Sequence, residues 1–370
     1  MPNDTDRASQ QLRPMTFAPL PTEPLVSVLI ANYNYARYVA EAIESVLRQT
    51  YPHVEVIICD DESTDGSPTV IERYGQRDAR VTLIRQPHAG AVVAANRAYA
   101  ASRGEIICLL DADDCFAPNK IEMIVRHFAE HPESGLALHP MMLIDTDGRE
   151  IGHIPFLTQF EAGWIAKRVI RRGGRWRYMP TSALCLRREL AERLFPVPET
   201  ASFSDGYIYV LGPLLAPVSH LPDVLTHYRL HGMNASEHGR NAAQAQKAVR
   251  WRVSFIESVN ARLTALGLAD HVLNIRRNLE FLEQTFACSL YQGKPCRTLL
   301  KEYGTFVRAL ATDDLYRWPQ KCAGSLVYGI ALLLPVRARS GWLTNVLERN
   351  GVKSYIKAIV ARRARVRRAV

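Results

Sequence analysis

From residue 25 to about residue 110, short apolar β-branched runs alternate with amphipathic helical segments, one pair roughly every 25 residues. Leu25 to Ala31 (LVSVLIA) reads as a buried strand between Pro24 and Asn32. Residues 36–49 place Val39, Ile43, Val46 and Leu47 at helical spacing, and Pro52 closes that helix. Val54 to Cys59 (VEVIIC) reads as a second strand, and Asp65-Gly66-Ser67-Pro68 opens a helix with proline in its first turn. Val81 to Ile84, an alanine-rich helix from Ala89 to Ser102, and Glu105 to Leu110 continue the series. This pattern predicts an α/β fold, a mostly parallel sheet flanked by helices on both faces. Such sheets bind ligands beyond the carboxyl ends of their strands, so the residues just after each strand are the candidates for function.

Beyond residue 135 the pattern loosens, with strands expected at Leu136 to Ile144 and Ser182 to Leu186. From Asn241 onward it turns helical. No proline falls between Gly239 and Gly293, and Val253, Ile256, Val259, Leu263 and Leu266 recur at three- and four-residue steps. Four segments are therefore expected: a disordered lead-in over 1–24, an α/β domain over 25–238, a helical region over 239–350 and a basic tail over 351–370.

A chain that is 47% hydrophobic and 22% charged is not disordered throughout. Its longest apolar stretch, Leu326 to Pro335, is well short of the roughly 18 residues a transmembrane helix needs. The first 24 residues lack the apolar centre of a secretory signal. Seven scattered cysteines without a CxxC pair argue against a disulfide framework or zinc site, and point to a reducing cytoplasm. Of the formal charge of +9, seven cations and no acid fall in 351–370 (GVKSYIKAIVARRARVRRAV). Drawn as a helix, this tail is basic and amphipathic, suited to an anionic membrane surface. With Tyr355 as its one aromatic it is poorly suited to stacking on nucleic acid. A frayed, solvated terminus is the plainer alternative. A second basic run, Lys167 to Arg177 (KRVIRRGGRWR), reads equally as a phosphate-acceptor site or an exposed loop.

The strand ends carry the chemistry. Ala31-Asn32-Tyr33-Asn34-Tyr35 follows the first strand, Asp60-Asp61-Glu62-Ser63-Thr64-Asp65 the second, and Asp111-Ala112-Asp113-Asp114 the fourth. Three carboxylates within four residues do not all ionise comfortably in a cleft without a cation. Mg²⁺ or Mn²⁺, with oxygen ligands and positions left for substrate phosphates, fits them. The plainer reading of D-x-D-D is a surface turn that caps a helix.

Three segments, VSVLIANYNYARYVAEAIESVLRQTYPHVEVIICDDESTDGS, HAGAVVAANRAYAASRGEIICLLDADD and YRLHGMNAS, together resemble the family-2 glycosyltransferases. The likeness covers residues 26–236 and leaves the helical region outside it. It implies the GT-A (Rossmann-like) fold and a nucleotide-sugar donor, with a UDP-sugar favoured. It further implies inverting transfer of one sugar to a glycan or lipid-linked glycan acceptor in cell-surface polysaccharide synthesis, at the inner face of the cytoplasmic membrane. By the same resemblance Ala31 and Tyr33 flank the nucleotide base, and Asp61 accepts from a uracil or thymine imide. His88, Gly90 and Asn96 close over ribose and diphosphate. Asp111, Asp113 and Asp114 form the D-x-D region, Asp113 first in line for the metal with Asp114. His231 approaches metal or diphosphate, and Arg229 neutralises phosphate charge. Asp205 (FSDGYIYVLGPLL) matches the base that takes the acceptor proton; capping of the helix it precedes is its alternative role. The chain departs from the family at Glu62 (usually glycine), Ala95 (commonly arginine) and Ser204 (often glutamate).

Other classes fit less well. Nucleotidyl transfer calls for a Gly-rich loop after the first strand, and dinucleotide oxidoreduction for G-x-G-x-x-G there; neither is present. Arg172-Gly173-Gly174-Arg175-Trp176 only superficially matches the Gln-x-x-Arg-Trp of processive synthases, since it lacks the glutamine and precedes Asp205. A non-enzymatic glycan-binding or scaffold module would be expected to have lost the D-x-D, the base or the late histidine. Trp164, Trp176 and Tyr178 are acceptor-stacking candidates, with packing as their commoner role. The sequence leaves the sugar, the linkage and the oligomeric state open.

Overall fold

The computed structural model describes residues 12–153, 160–201, 204–231, 242–335 and 338. Two compact units emerge: Met1–Val169, Arg177–Gly232 and Ser258–Val272 form the first, and Ile170–Trp176, Met233–Glu257 and Leu273–Val370 the second.

In the first unit Val26–Asn32 (β1) pairs in parallel with Val54–Asp60 (β2) on one side and Ile106–Leu109 (β4) on the other, and β2 pairs in parallel with Val81–Arg85 (β3). Six of the seven β1 residues and all of β2 are buried, as expected of a parallel sheet covered on both faces. Helix Val39–Leu47 (α1) turns Val39, Ala42, Ile43 and Val46 inward at the spacing of one helical face. Ser67–Arg77 (α2) and Ala91–Ala101 (α3) complete the expected alternation.

The next part corrects two strand expectations. Leu136 to Ile144 is two strands, because Pro140 interrupts the run and has no N–H for a ladder. Leu136–Leu138 (β6) joins the main sheet, whereas Met141–Ile144 (β7) joins a second, four-stranded sheet with Cys115–Phe116 (β5), Glu150–His153 (β8) and Thr226–Arg229 (β11). Ser182 to Leu186 begins as a 3₁₀ turn, Thr181–Ala183, and continues as Cys185–Arg187 (β9), antiparallel to β4 and β6. Val218–His220 (β10) closes the main sheet, ordered β10-β6-β9-β4-β1-β2-β3. Lys120–Glu130 (α4), Ala166–Arg171 (α5), Arg188–Leu194 (α6) and Ser204–Leu215 (α7) are the remaining α-helices before residue 232 among the described residues.

Residues 12–24 are held against this unit, which corrects the disordered lead-in over that stretch. Met15 N donates to Leu215 O (2.7 Å), Ala18 N to Glu189 Oε1 (3.0 Å), and the Tyr51 hydroxyl to Pro24 O (2.8 Å), while Arg187 donates to Ala18 O. Backbone groups tied at several points outweigh a composition that looks disordered in isolation. Residues 1–11 lie outside the described residues.

The second unit packs Leu279–Tyr291 (α9), Cys296–Thr312 (α10) and Trp318–Leu333 (α11) around Phe286, Leu290, Leu299, Phe306, Leu310 and Tyr328. The buried Tyr328 hydroxyl donates to Glu283 Oε1 at 2.8 Å. One division between the units falls at Gly232/Met233, but it is not the last. The unbroken helix Ala242–Ala265 (α8) belongs to the second unit up to Glu257 and to the first from Ser258. Residues 170–176 belong to the second unit, and two of their cations, Arg172 and Arg175, are buried. Arg175 Nη1 meets Asp313 Oδ2 and Arg172 Nε meets Asp314 Oδ1, both at 2.5 Å. A Cβ on Gly173 (φ +62°) would lie 2.6 Å from Asn278 N, so only glycine fits that crossing. Arg172 and Arg175 are thus structural, and Trp176 is buried with them.

Candidate active site

The parallel strands deliver Tyr33, Asp61 and Asp111 to one edge of the sheet. Asp60, at the end of β2, accepts from Asn32 Nδ2 (2.7 Å) and Ser63 N (3.0 Å), tying the first two strand ends together. Asp65 does similar work, accepting from Ala36 N at 2.8 Å. Of the seven carboxylates at the strand ends, these two shape loops.

Asp61 is engaged as well. Its Oδ1 accepts from Gln86 Nε2 (2.6 Å) and Ala89 N (2.8 Å), and its Oδ2 from Gly90 N (2.9 Å), with His88 Nδ1 also 2.9 Å away. Burial pushes this carboxyl up, but the three hydrogen bonds and His88 outweigh it and hold Asp61 below the usual range. Three of the four acceptor directions of the carboxylate are therefore filled from the 86–90 loop, and His88, hydrogen-bonded to the Asp61 carbonyl at 3.2 Å, flanks the fourth. Tyr33 is 44% exposed, and its ring lies 4.5 Å from that of His88. Partly exposed Ala31 stands two positions before it at the β1 end. Glu62 adopts the left-handed backbone (φ +62°) that glycine occupies without strain, and its Oε2 accepts from His88 N at 3.0 Å. The turn keeps a glycine-like conformation despite the glutamate.

Asn96 does not face a ligand. Its Nδ2 donates to Val197 O and its Oδ1 accepts from Val197 N, both at 2.8 Å, so it pins a chain segment.

Asp111, Asp113 and Asp114 each offer one oxygen, all within 4.8 Å of one another. Burial, then the carboxylates of Asp114, Asp113 and Asp205, push Asp111 well above the ordinary range. Burial and Asp113 do the same to Asp114. Acids raised by mutual repulsion are a donor set that a divalent cation would relieve, and an all-oxygen set suits Mg²⁺ or Mn²⁺. Asp113 Oδ2 lies 2.6 Å from His231 Nε2. Both Asp114 oxygens already have donors, Ser182 Oγ at 2.6 Å and Arg229 N at 2.8 Å.

Arg229 is 1% exposed and is committed to the protein. Its Nε donates to Asp113 O (2.8 Å), its Nη1 to Asp145 O (3.3 Å), and its Nη2 to Glu41, while its guanidinium lies 4.9 Å from the Tyr38 ring centre. It braces the acidic loop and has no free edge for a phosphate, a correction to the expected neutralising role.

Asp205 stands in the first turn of α7. Thr181 Oγ1 donates to its Oδ2 at 2.9 Å and Gly206 N to its Oδ1 at 2.7 Å. Burial raises this carboxyl above the ordinary range. Sequence reasoning missed Thr181, Ser182, Tyr35 and Tyr38. Burial, then Asp113, Asp111 and Asp114, drive the Tyr35 hydroxyl upward, which marks it as a neighbour of the cluster. Tyr38 stacks on His231 with ring centres 5.4 Å apart. The two tyrosines could have been flagged by their place beside Asn-Tyr-Asn-Tyr; the two hydroxyls leave no signal in the sequence.

A family model, glycosyl transferase family 2, matches residues 27–195. An uncharacterized glycosyltransferase of Nostoc sp. is 33% identical over 264 residues, covering 69% of this chain and 80% of the relative. The chain belongs to glycosyltransferase family 2. A putative teichuronic acid biosynthesis glycosyltransferase of Bacillus subtilis, TuaG, is 39% identical over 109 residues, 29% of this chain and 43% of that protein. Among solved structures, residues 1–349 of Staphylococcus aureus TarS in complex with UDP-GlcNAc align with a TM-score of 0.53 and 17% identity, covering 88% of this chain and 91% of that one. That likeness is one of fold, and the fold is GT-A: a mostly parallel sheet flanked by helices, followed in this family-2 glycosyltransferase by a helical region. Among the described residues no helix is long and apolar enough to cross a membrane.

Proposed function

We propose that this glycosyltransferase is an inverting, non-processive hexosyltransferase that moves one sugar from a nucleotide-sugar to a glycan or lipid-linked glycan acceptor in cell-surface polysaccharide synthesis. The observation that carries the reading is the convergence of a buried acid at the start of a helix, Asp205, with the Asp111–Asp113–His231 group. The charge of Asp205 is felt at Asp111, and the Thr181 hydroxyl that donates to Asp205 also lies within reach of Asp111. Asp205 takes the proton of the attacking hydroxyl, while the diphosphate departs on the other side of the anomeric carbon, toward the acidic cluster. Asp113 with His231 and Asp111 would hold a Mn²⁺ or Mg²⁺ ion, which supplies charge stabilisation for the leaving diphosphate. Asp114 would act one step back, since Ser182 and Arg229 already occupy it. Tyr33 is the exposed ring on which the base would stack, with Ala31 beside it. Asp61 would meet a base imide through the acceptor direction that His88 flanks. A UDP-sugar is the donor we favour, in keeping with the UDP-GlcNAc bound to the TarS fragment of like fold.

The membrane contact belongs to this proposal too. The basic tail lies outside the described residues, but α11, which precedes it in sequence with residues 334–350 between, turns Trp318 (71% exposed), Leu326 (65%), Ile330 and Leu333 (86%) outward. An apolar helical face followed in sequence by seven cations suits the headgroup region of an anionic membrane, on the cytoplasmic side.

The test is calorimetric titration with UDP, GDP and dTDP, with and without Mn²⁺, on wild type and Asp113→Ala. The expected result is metal-dependent binding of one diphosphate, lost in the variant. Binding of none, even with metal, would put a scaffold or glycan-binding role ahead of turnover.

A further inference from the structure

Three features place Thr181 at the junction of the site. Its Oγ1 donates to Asp205 Oδ2 at 2.9 Å while Gly206 N holds Oδ1 at 2.7 Å, and the aspartate's own N–H is a third donor to the carboxylate. A carboxylate offers about four lone-pair directions, which leaves one for a substrate proton. Next along the chain, fully buried Ser182 donates to Asp114 Oδ2 at 2.6 Å and accepts from Asp111 N at 3.0 Å. The 3₁₀ turn that carries both hydroxyls is itself anchored, because Ser182 O accepts from buried Lys120 Nζ (2.7 Å) and from Thr226 Oγ1 (3.0 Å).

One rigid turn thus reaches Asp205 with one hydroxyl and the acidic loop with the next. Inverting transfer needs the base and the leaving-group site on opposite sides of one carbon, and misplacement of about 1 Å at such a site lowers rates by about 100-fold. We propose that Thr181 is the positioning residue for the base, fixing the Asp205 carboxylate relative to the Asp111–Asp114 loop through the Thr181–Ser182 turn. The inference rests on Asp205 being the base. It assigns Thr181 no direct contact with donor or metal; because its hydroxyl also reaches Asp111, its loss acts mainly on turnover and only weakly on metal-dependent donor binding.

The test compares Thr181→Val, which keeps the shape and removes the donor, with Thr181→Ser, which restores the hydroxyl. Release of nucleoside diphosphate from UDP-GlcNAc and GDP-mannose is followed with Mn²⁺, with water as acceptor. Expected for Val is a fall in kcat of about 10- to 100-fold, donor KM within about two-fold of wild type, and Mn²⁺-dependent UDP binding weakened by no more than about three-fold. Ser should recover most of the rate. A Val variant with wild-type kcat, or one altered in KM alone, overturns the assignment; so does a Ser variant no better than Val. Asp205→Asn separates the two levels. If it turns over normally, the base reading itself falls. If it is inactive while Val is not, only the Thr181 inference falls. Should Val unfold the chain, Thr181→Ala supplies the same comparison.

Discussion

His231 Nε2 lies 2.6 Å from Asp113 Oδ2, across 118 positions of sequence. The contact joins the end of the second sheet to the loop after β4, and Tyr38 backs the histidine ring from a third element, just before α1. A histidine and a carboxylate so placed can close on one cation from two sides.

His231→Ala should therefore weaken Mn²⁺-dependent UDP binding by about 10- to 100-fold, on the scale seen when a group supporting a metal site is lost. Calorimetry reads this directly. Equal binding by variant and wild type would reduce the contact to a structural hydrogen bond.

Arg229→Ala is expected to act on stability. Its loss strands the Asp113 and Asp145 carbonyls, at about 1–3 kcal/mol for each buried acceptor left unpaired. Urea unfolding measures the loss. A variant of wild-type stability with a raised donor KM would restore the phosphate-binding role expected from sequence.

Asp314 gives the second unit an acid-sensitive tie. The Arg172 hydrogen bond, opposed by burial and helped by the charges of Arg172 and Arg171, pulls its carboxyl from the usual value down to about 2. A depressed folded pKa means that this stabilisation is complete above the unfolded value near 4 and disappears as pH falls through about 2. The urea midpoint of wild type should thus drop more steeply than that of Asp314→Asn between pH 4 and pH 2. Parallel curves would show that the pair is not formed in solution.

Vesicle sedimentation tests the membrane contact. The full chain should bind vesicles containing phosphatidylglycerol, bind neutral phosphatidylcholine much less, and release as salt is raised past the range where charges are screened. Replacing Leu326, Ile330 and Leu333 by serine should weaken binding further. Indifference to both lipid charge and these substitutions would assign the α11 face to another partner.

The strand–helix alternation, the sheet and the acidic loop were legible in the sequence because each depends on local patterning. Periodicity along β1, α1 and β2 fixes which faces are buried, and a strand end places Asp111–Asp114 wherever the rest of the chain goes. The division of labour among polar residues was not legible. Arg229 and Asn96 carry the right chemistry for phosphate and ribose, yet both are taken up by protein partners far away in sequence. Thr181 and Ser182, unremarkable in the sequence, reach Asp205 and Asp114. Residues 12–24 and 170–177 look like free polar chain but are pinned from a distance, in part by Leu215 and Asp313. A side chain's type sets which bonds it can make; only tertiary packing decides which partner comes within 3 Å, and whether any lone pair or N–H is left for a ligand.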